Sequence, residues 1–306
     1  MERLDRYLVR TGMAASRRMA RELIAQGGVL LNGHRCRKGA IVGRDDQVEV
    51  IARPEICTIA PAGEVNVLYE DQNVVVIDKP PLMPCHPIRA GELGTVINAV
   101  VARYPEVATV GDNPLEGGLV HRLDNGTSGA LLIARNTEAL MKLRADIRNG
   151  RVARIYEALI TGTLIAPIEI ARPIAHSPKN RRKMVALNPD AGRGNRLAGV
   201  ARPAATLIEP LECLGAFTRV RVTPRTGRRH QIRMHLASED FPLAGDKLYG
   251  GPSLEGLAEG RFWLHLAELQ FTTPHGGHVH VRAPLAADLN AVLERLGLQP
   301  DTGATT

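Results

Sequence analysis

Cysteine is scarce in this chain: Cys36, Cys57, Cys85 and Cys213 stand far apart among 306 residues, with no CxxC pair. That spacing suggests neither a zinc cluster nor a disulfide framework, and a reducing cytoplasm is the expected setting. Aromatic residues make up only 3%, too few for the array of stacked rings that holds single-stranded nucleic acid. No apolar run approaches the roughly 20 residues of a membrane helix. The opening Met1-Glu2-Arg3-Leu4-Asp5 lacks the apolar core of a signal peptide. A dinucleotide-binding fingerprint, a Walker loop and an internal repeat are missing too, so no cofactor is expected.

What remains is a globular composition, 44% hydrophobic and 23% charged, in a chain long enough for two domains. The formal charge is +7. Residues 1–53 hold eleven Lys and Arg against six Asp and Glu, so most of the excess sits in one sixth of the chain. A polyanion is the natural partner, and arginine in preference to lysine suits phosphate recognition by forked donors. A merely soluble basic surface is the plainer alternative.

Residues 1–52 read as a small module. Leu4, Tyr7 and Leu8 give a first helical stripe that closes near Gly12. Ser16 is a fair N-cap for a second helix, with Met19, Ala20, Leu23 and Ile24 on one face and Arg17, Arg18 and Arg21 on another. Gly27-Gly28 ends it, and Val29-Leu30-Leu31 runs into Asn32-Gly33, the signature of a type I′ hairpin. Arg35, Arg37 and Lys38 follow, and residues 47–51 close the module as a strand.

Residues 53–64 form a linker containing proline and glycine, and 65–298 form a second domain with a disordered tail at 299–306. In the second domain residues 73–79 read as a buried strand stopped by Pro80-Pro81, and Lys79 is either a phosphate contact or a solvated strand end. Gly118-Leu-Val-His-Arg-Leu-Asp-Asn-Gly-Thr-Ser-Gly129 is an apolar run broken by His121-Arg122 and Asp124, then a polar turn, before Ala130–Ala134 resumes a strand. Physically this projects one carboxylate and one guanidinium into a cleft. The plain reading is an Asx turn with Asp124 bonded to the Asn125-Gly126 backbone. Asn136 or Thr137 caps a helix to about Asn149, and 154–160 alternates as a strand carrying Tyr156. Residues 170–203 are basic and rich in proline and glycine, which argues for a surface excursion. Strands at 207–211 and 218–222 lead to Thr226–Leu236, and a last helix spans about 287–296. His230 and His235 do not share a helix face, and His275, His278 and His280 show no acidic or thiolate neighbour, so no metal site is expected.

Six stretches carry a resemblance. HRLDNGTSG at 121–129 resembles the catalytic loop of RluA-type RNA pseudouridine synthases. The DKP segment at 78–80, the tyrosine strand around Tyr156, TGRRHQIRMH at 226–235 and GDKLYG at 245–250 follow in that family's order. The family commonly has lysine where Arg154 stands, threonine where Arg229 stands, and glycine near Leu82. The N-terminal RLDRYLVRTGMAASRRMARELIAQGGVLLNG resembles an S4 RNA-binding domain.

The resemblance implies an α+β fold: a large mixed, mainly antiparallel sheet with flanking helices, preceded by a small S4 domain of α-L type. It implies an isomerase that breaks the N1–C1′ bond of uridine, turns the base and joins C5 to C1′. Asp124 is then the catalytic carboxylate, Arg233 its ion-pair partner, and Tyr156 the ring on the target base and a candidate base for the C5 proton. Arg122 fills the place of the extruded uridine, with a phosphate contact as its alternative. Arg17, Arg18, Arg21, Arg35, Lys38, Lys79 and Arg228 are the expected RNA contacts. The expected partner is RNA, ribosomal in preference to transfer RNA, with no metal, no cofactor, no membrane and a monomeric chain. A catalytically silent RNA-binding or assembly factor is the rival, and the intact Asp124, Tyr156 and Arg233 speak against it.

Overall fold

The computed structural model describes residues 1–14, 16–25, 27–51, 65–89, 91–187 and 200–297. The expected linker, the expected tail and residues 188–199 of the basic stretch lie outside them. By contact density the chain divides into two compact units. One gathers Met1–Glu64, Pro84–Leu119 and Ala134–Leu140, and the other Val65–Met83, Val120–Ile133 and Met141–Thr306.

The first unit opens with β1 (Glu2–Arg3), α1 (Leu4–Arg10), α2 (Arg17–Ala25), β2 (Val29–Leu31), β3 (His34–Arg35), β4 (Ile41–Val42) and β5 (Val48–Val50). The periodicity is realised as read: Met19, Ala20, Leu23 and Ile24 are the buried residues of α2. They join Leu4, Leu8, Ala14, Val29 and Val42 in one apolar cluster, in which each fully buried leucine contributes about 2 kcal/mol. Ser16 Oγ accepts from the Met19 amide at 3.2 Å and caps α2. The hairpin turn takes φ of 52° at Asn32 and 80° at Gly33, the two positive values a type I′ turn requires. Helix α3 (Val96–Arg103), in the same unit, has no counterpart among the sequence-based expectations. Its signal was nonetheless present in Thr95-Val-Ile-Asn98, whose two polar side chains cap each other's backbone amides.

The second unit is built on one sheet. Its strands are β6 (Asn66–Glu70), β7 (Val74–Lys79), β8 (Ser128–Ala134), β9 (Ala153–Thr161) and β10 (Ile168–Ile170). A short pair, β11 (Ile174–His176) and β12 (Met184–Ala186), precedes β13 (Thr206–Leu214), β14 (Phe217–Pro224), β15 (Leu264–Thr272) and β16 (His278–Arg282). The sheet order is β10-β13-β14-β9-β15-β8-β7-β6, with β16 also paired to β15. Neighbours along β10-β13-β14-β9-β15 and in the β6–β7 and β15–β16 pairs run antiparallel, whereas β15 and β8 run parallel. Every residue of β8 is buried, which is why its sequence is a continuous apolar run and does not alternate. Helices α4 (Thr137–Arg148), α5 (Gln231–Ser238) and α6 (Ala287–Arg295) complete the elements. Leu289, Val292 and Leu293 of α6 pack with Trp263, Leu159 and Ala244.

The pair β11–β12 corrects the expectation that 170–203 holds no element. Ile174 and Met184 bury themselves with Ala204 in a small cluster of their own. Three-residue strands are too short to show a period, so composition dominated the reading.

Candidate active site

The HRLD loop is a turn, but Asp124 does not spend its side chain on it. The turn closes through the Asp124 carbonyl, which accepts from the Thr127 amide at 3.0 Å. The Asp124 carboxylate instead takes a hydrogen bond from Arg233 Nη1 at 3.1 Å. The expected pair is therefore formed, 109 residues apart in sequence.

Arg233, on α5, is the centre of a larger arrangement. Its Nε and Nη2 donate to Asp246 Oδ2 and Oδ1 at 2.6 and 2.8 Å, a two-pronged bond that fixes the plane of the guanidinium. Its Cζ lies 4.3 Å from the centre of the Phe262 ring and 5.1 Å from that of Tyr249. Burial works against the charge, but the hydrogen bond to Asp246 and the nearby Asp124 outweigh it, so the Arg233 pKa rises above its ordinary value. Asp246 is 2% exposed and Asp124 25%. One carboxylate is thus a buried anchor and the other a reachable one, and Asp124 Oδ1 makes no hydrogen bond among the described residues. Asp246 was read from the sequence only as part of a turn. The signal for it was a lone acid in the Gly-rich stretch Gly245–Gly251.

The loop is clamped from behind by Arg261, a buried residue with no sequence motif of its own. It donates to the Gly126 carbonyl and to Ser128 Oγ at 2.5 and 2.9 Å, and to Asp288 Oδ2 at 2.7 Å. Since Ser128 accepts from Arg261, its own proton goes to His265 Nδ1 at 2.9 Å, and His265 Nε2 faces the Ala283 carbonyl at 3.3 Å. Burial lowers the His265 pKa to about 4, so the ring is neutral at pH 7. Gly126 and Gly129 allow this closeness, because a Cβ at either would run into the carbonyl of Gly260 or Leu266.

Lys79 corrects an expectation. It is fully buried, and its ammonium donates to the Pro80 and Asn125 carbonyls at 2.7 and 3.3 Å. It holds the loop from inside and is neither a solvated strand end nor exposed at the surface. Leu82 donates its amide to the same Asn125 carbonyl at 2.8 Å and adopts φ of 62°. The chain keeps the left-handed path for which a glycine would be favoured, with leucine in place.

Around Arg233 the motif residues divide into holders and exposed groups. Gln231 accepts from Thr226 Oγ1 and the Arg228 amide and donates to the Ala205 carbonyl and Thr206 Oγ1. His235 bonds Thr206 Oγ1 and the Arg172 carbonyl. Tyr249 Oη accepts from the Met184 amide at 2.8 Å, so its proton points to His230 Nδ1 at 2.9 Å. Arg228 Nε donates to the Pro203 carbonyl at 3.1 Å. Arg229 is exposed. Arg122 is exposed too, and it makes no hydrogen bond or ion pair among the described residues. Tyr156 is nearly buried on β9, between Val222 of β14 and Leu266 of β15.

In the N-terminal module Asp5 is buried and bonded to Arg3, Arg17 and Arg21 at 3.1, 3.0 and 3.0 Å. Burial disfavours its charge, but the three guanidiniums hold its pKa well below the usual carboxylate range. Arg17 and Arg21 remain about half exposed, Arg18 reaches Glu22 only at 3.9 Å, and Arg35 and Lys38 are exposed. His280 meets an acid that sequence order concealed: Glu268 Oε2 lies 2.7 Å away across β15–β16. Among the described residues no group of three or more His, Cys, Asp or Glu is placed to hold a metal ion. None of the described helices is long and apolar enough to cross a membrane.

A large mixed sheet thus presents an aspartate on a glycine-bounded loop, paired to a buried arginine. The family model for RNA pseudouridylate synthase matches residues 73–238, and that for the S4 domain residues 2–48. The chain belongs to the RNA pseudouridylate synthase family. It is 37% identical to a Chloroflexus aurantiacus protein named as an uncharacterised RNA pseudouridine synthase, over 96% of this chain and 90% of that one. It is 31% identical to the ribosomal large subunit pseudouridine synthase D of Escherichia coli O157:H7, again over 96% and 90%. Among solved structures, human RNA pseudouridylate synthase domain containing 4 shares the fold with a TM-score of 0.58 at 23% identity, over 76% of this chain and 94% of that one. The protein is thus an enzyme that isomerises uridine to pseudouridine in RNA.

Proposed function

We propose that the substrate is a uridine in large-subunit ribosomal RNA and that Asp124 performs the chemistry. The observation that carries this reading is the arrangement on Arg233. Asp246 occupies two of its donors from a buried position, and Asp124 accepts from the remaining Nη1 while keeping one oxygen unbonded. A carboxylate so held is aimed with one oxygen open, as a nucleophile, a base or a stabiliser of electron deficiency at the sugar must be. Tyr156 packs on the target base and takes the C5 proton. Arg122, exposed and uncommitted two residues before Asp124, enters the position left by the extruded uridine at a cost of a few kcal/mol for unstacking.

Ribosomal RNA is favoured by relatives named as large-subunit synthases and by the S4 match. Residues 1–52 act as the RNA-holding module through Arg17, Arg18, Arg21, Arg35 and Lys38, and 65–298 as the catalytic domain, with Arg228 a further contact. The enzyme works as a monomer in the cytoplasm. Pseudouridine mapping in total RNA from wild-type and deletion strains tests the assignment. Loss of a site in large-subunit ribosomal RNA is the expected result; loss confined to transfer RNA would retire it.

A further inference from the structure

Arg154 is a buried cation without a counter-charge. Only 6% exposed, it donates from Nη2 to the Thr226 carbonyl at 3.1 Å, and no carboxylate pairs with it among the described residues. Its Nε is buried and has no hydrogen-bond partner there. A guanidinium taken out of water in this way costs several kcal/mol unless something compensates it. The guanidinium packs closely on the chain beside it: a Cβ on Gly227 would sit 3.0 Å from Arg154 Nη1.

His121, three residues before Asp124, shows the same deficit. Its Nε2 accepts the Leu132 amide at 3.2 Å, so in the neutral ring the proton sits on Nδ1. That Nδ1 is buried and unpartnered as well. Burial, and next the charge of Arg154, lower the His121 pKa to about 3, so the ring is neutral at pH 7 and lies within electrostatic reach of Arg154. Two buried N–H donors, one of them cationic, therefore lack an acceptor. Arg154 stands two residues before Tyr156 on β9, so both side chains emerge on one face of the strand about 7 Å apart.

We propose that Arg154 and His121 form a pair of hydrogen-bond donors for a carbonyl oxygen of the target uracil. This rests on the isomerase reading above. When the N1–C1′ bond breaks, its electron pair leaves with the uracil and spreads over N1 and the carbonyl oxygens. No other reactant enters. The charge is cancelled when C5 bonds to C1′, and the proton then lost from C5 is matched by one taken up at N1, so the net change is an isomerisation. Donors fixed in a dry wall favour that charged stage over neutral uridine without reorganising, and they select a base that carries an acceptor at that point.

The test uses the full-length enzyme and a stem-loop built around the mapped uridine, in four forms: uridine, 2-thiouridine, 4-thiouridine, and uridine flanked by a neutral methylphosphonate. Single-turnover rates and RNA affinities are compared for wild type, Arg154→Met and Arg154→Lys. Arg154→Met is expected to slow uridine conversion about 100-fold, the scale of one lost oxyanion donor, with affinity changed less than about threefold. On one thio-RNA, where sulfur is already a poor acceptor, the loss should shrink to about tenfold or less. If Arg154→Met does not fold, Arg154→Lys carries the test through a reduced ratio of uridine to thiouridine rates. Equal losses on all four RNAs, an unchanged ratio in Arg154→Lys, or shrinkage only with the methylphosphonate overturns the proposal, the last by assigning Arg154 to a phosphate. A wild-type enzyme inert on the uridine stem-loop would instead sink the isomerase reading.

Discussion

Arginine and aspartate meet in two clusters of opposite stoichiometry. In the N-terminal module one buried carboxylate, Asp5, gathers Arg3, Arg17 and Arg21, and an excess of positive charge stays at the surface. In the catalytic unit one buried guanidinium, Arg233, gathers Asp124 and Asp246, and the excess is negative. The same two side chains thus leave half-exposed guanidiniums in one place and a partly exposed carboxylate in the other. What differs is which partner is buried. The buried member sets the geometry, and the other members keep part of their surface open to solvent.

The comparison breaks most sharply at Asp124. Asp124→Asn preserves shape and removes the charge, and it is expected to cut turnover at least 1,000-fold, in order of magnitude. Tritium release from 5-labelled uridine RNA measures it, beside a melting curve that should barely move. Substantial residual turnover would remove Asp124 from the chemistry.

Asp246→Asn attacks the anchor. Leaving Arg233 buried with half its counter-charge should cost about 3–5 kcal/mol and slow turnover about 100-fold by loosening Asp124. Urea unfolding together with single-turnover rates checks both effects, and an unchanged unfolding midpoint would contradict the anchor role.

The buried histidines give a third expectation. Burial lowers His265 to about 4 and His121 to about 3, against about 6.5 in an unfolded chain. Between these values the unfolded state binds more protons, so stability is fully present above about pH 6.5 and is lost as pH falls toward 4. For His265 alone the effect is on the order of 3 kcal/mol. Urea midpoints at pH 7 and pH 4.5 should show it, and His265→Asn should remove the His265 share of the dependence and leave that of His121.

In the basic module, Asp5→Asn adds net positive charge yet is expected to weaken RNA binding about threefold, because Arg3, Arg17 and Arg21 lose their common anchor. Tighter binding in a filter or anisotropy titration would mean that charge alone governs. The smallest effect belongs to Leu82→Gly, which relieves a left-handed leucine and should stabilise by less than about 1 kcal/mol. A lowered melting temperature would show that the leucine side chain matters more than its backbone.

The sequence disclosed those parts of the site whose signal is local. Asp124 and Arg233 stand in contiguous motifs, and α2 could be read from four apolar positions and a serine cap. Arg261 could not: its partners Gly126 and Asp288 are 135 and 27 residues away, and on the sequence it is an arginine in a polar turn. Lys79 misled because a lysine before two prolines looks like a solvated strand end. The better clue was the fully buried run Val74–Ile77 leading into it. Asp246 and Arg154 were visible as residues, but their burial, which gives them their roles, is a property of the folded sheet.

The clamp on Gly126 also has a consequence for biosynthesis. Asp124 emerges from the ribosome about 160 residues ahead of Asp288, which secures Arg261 behind the loop. At the usual pace of synthesis this is an interval of roughly 10–30 seconds. Through it Arg233, Asp246 and Arg261 arrive one after another, and β8 has no parallel partner until β15 is made. The Asp124 loop is therefore among the last features of the unit to be fully clamped, and a nascent chain carries it without its complete set of partners until nearly the whole enzyme has been translated.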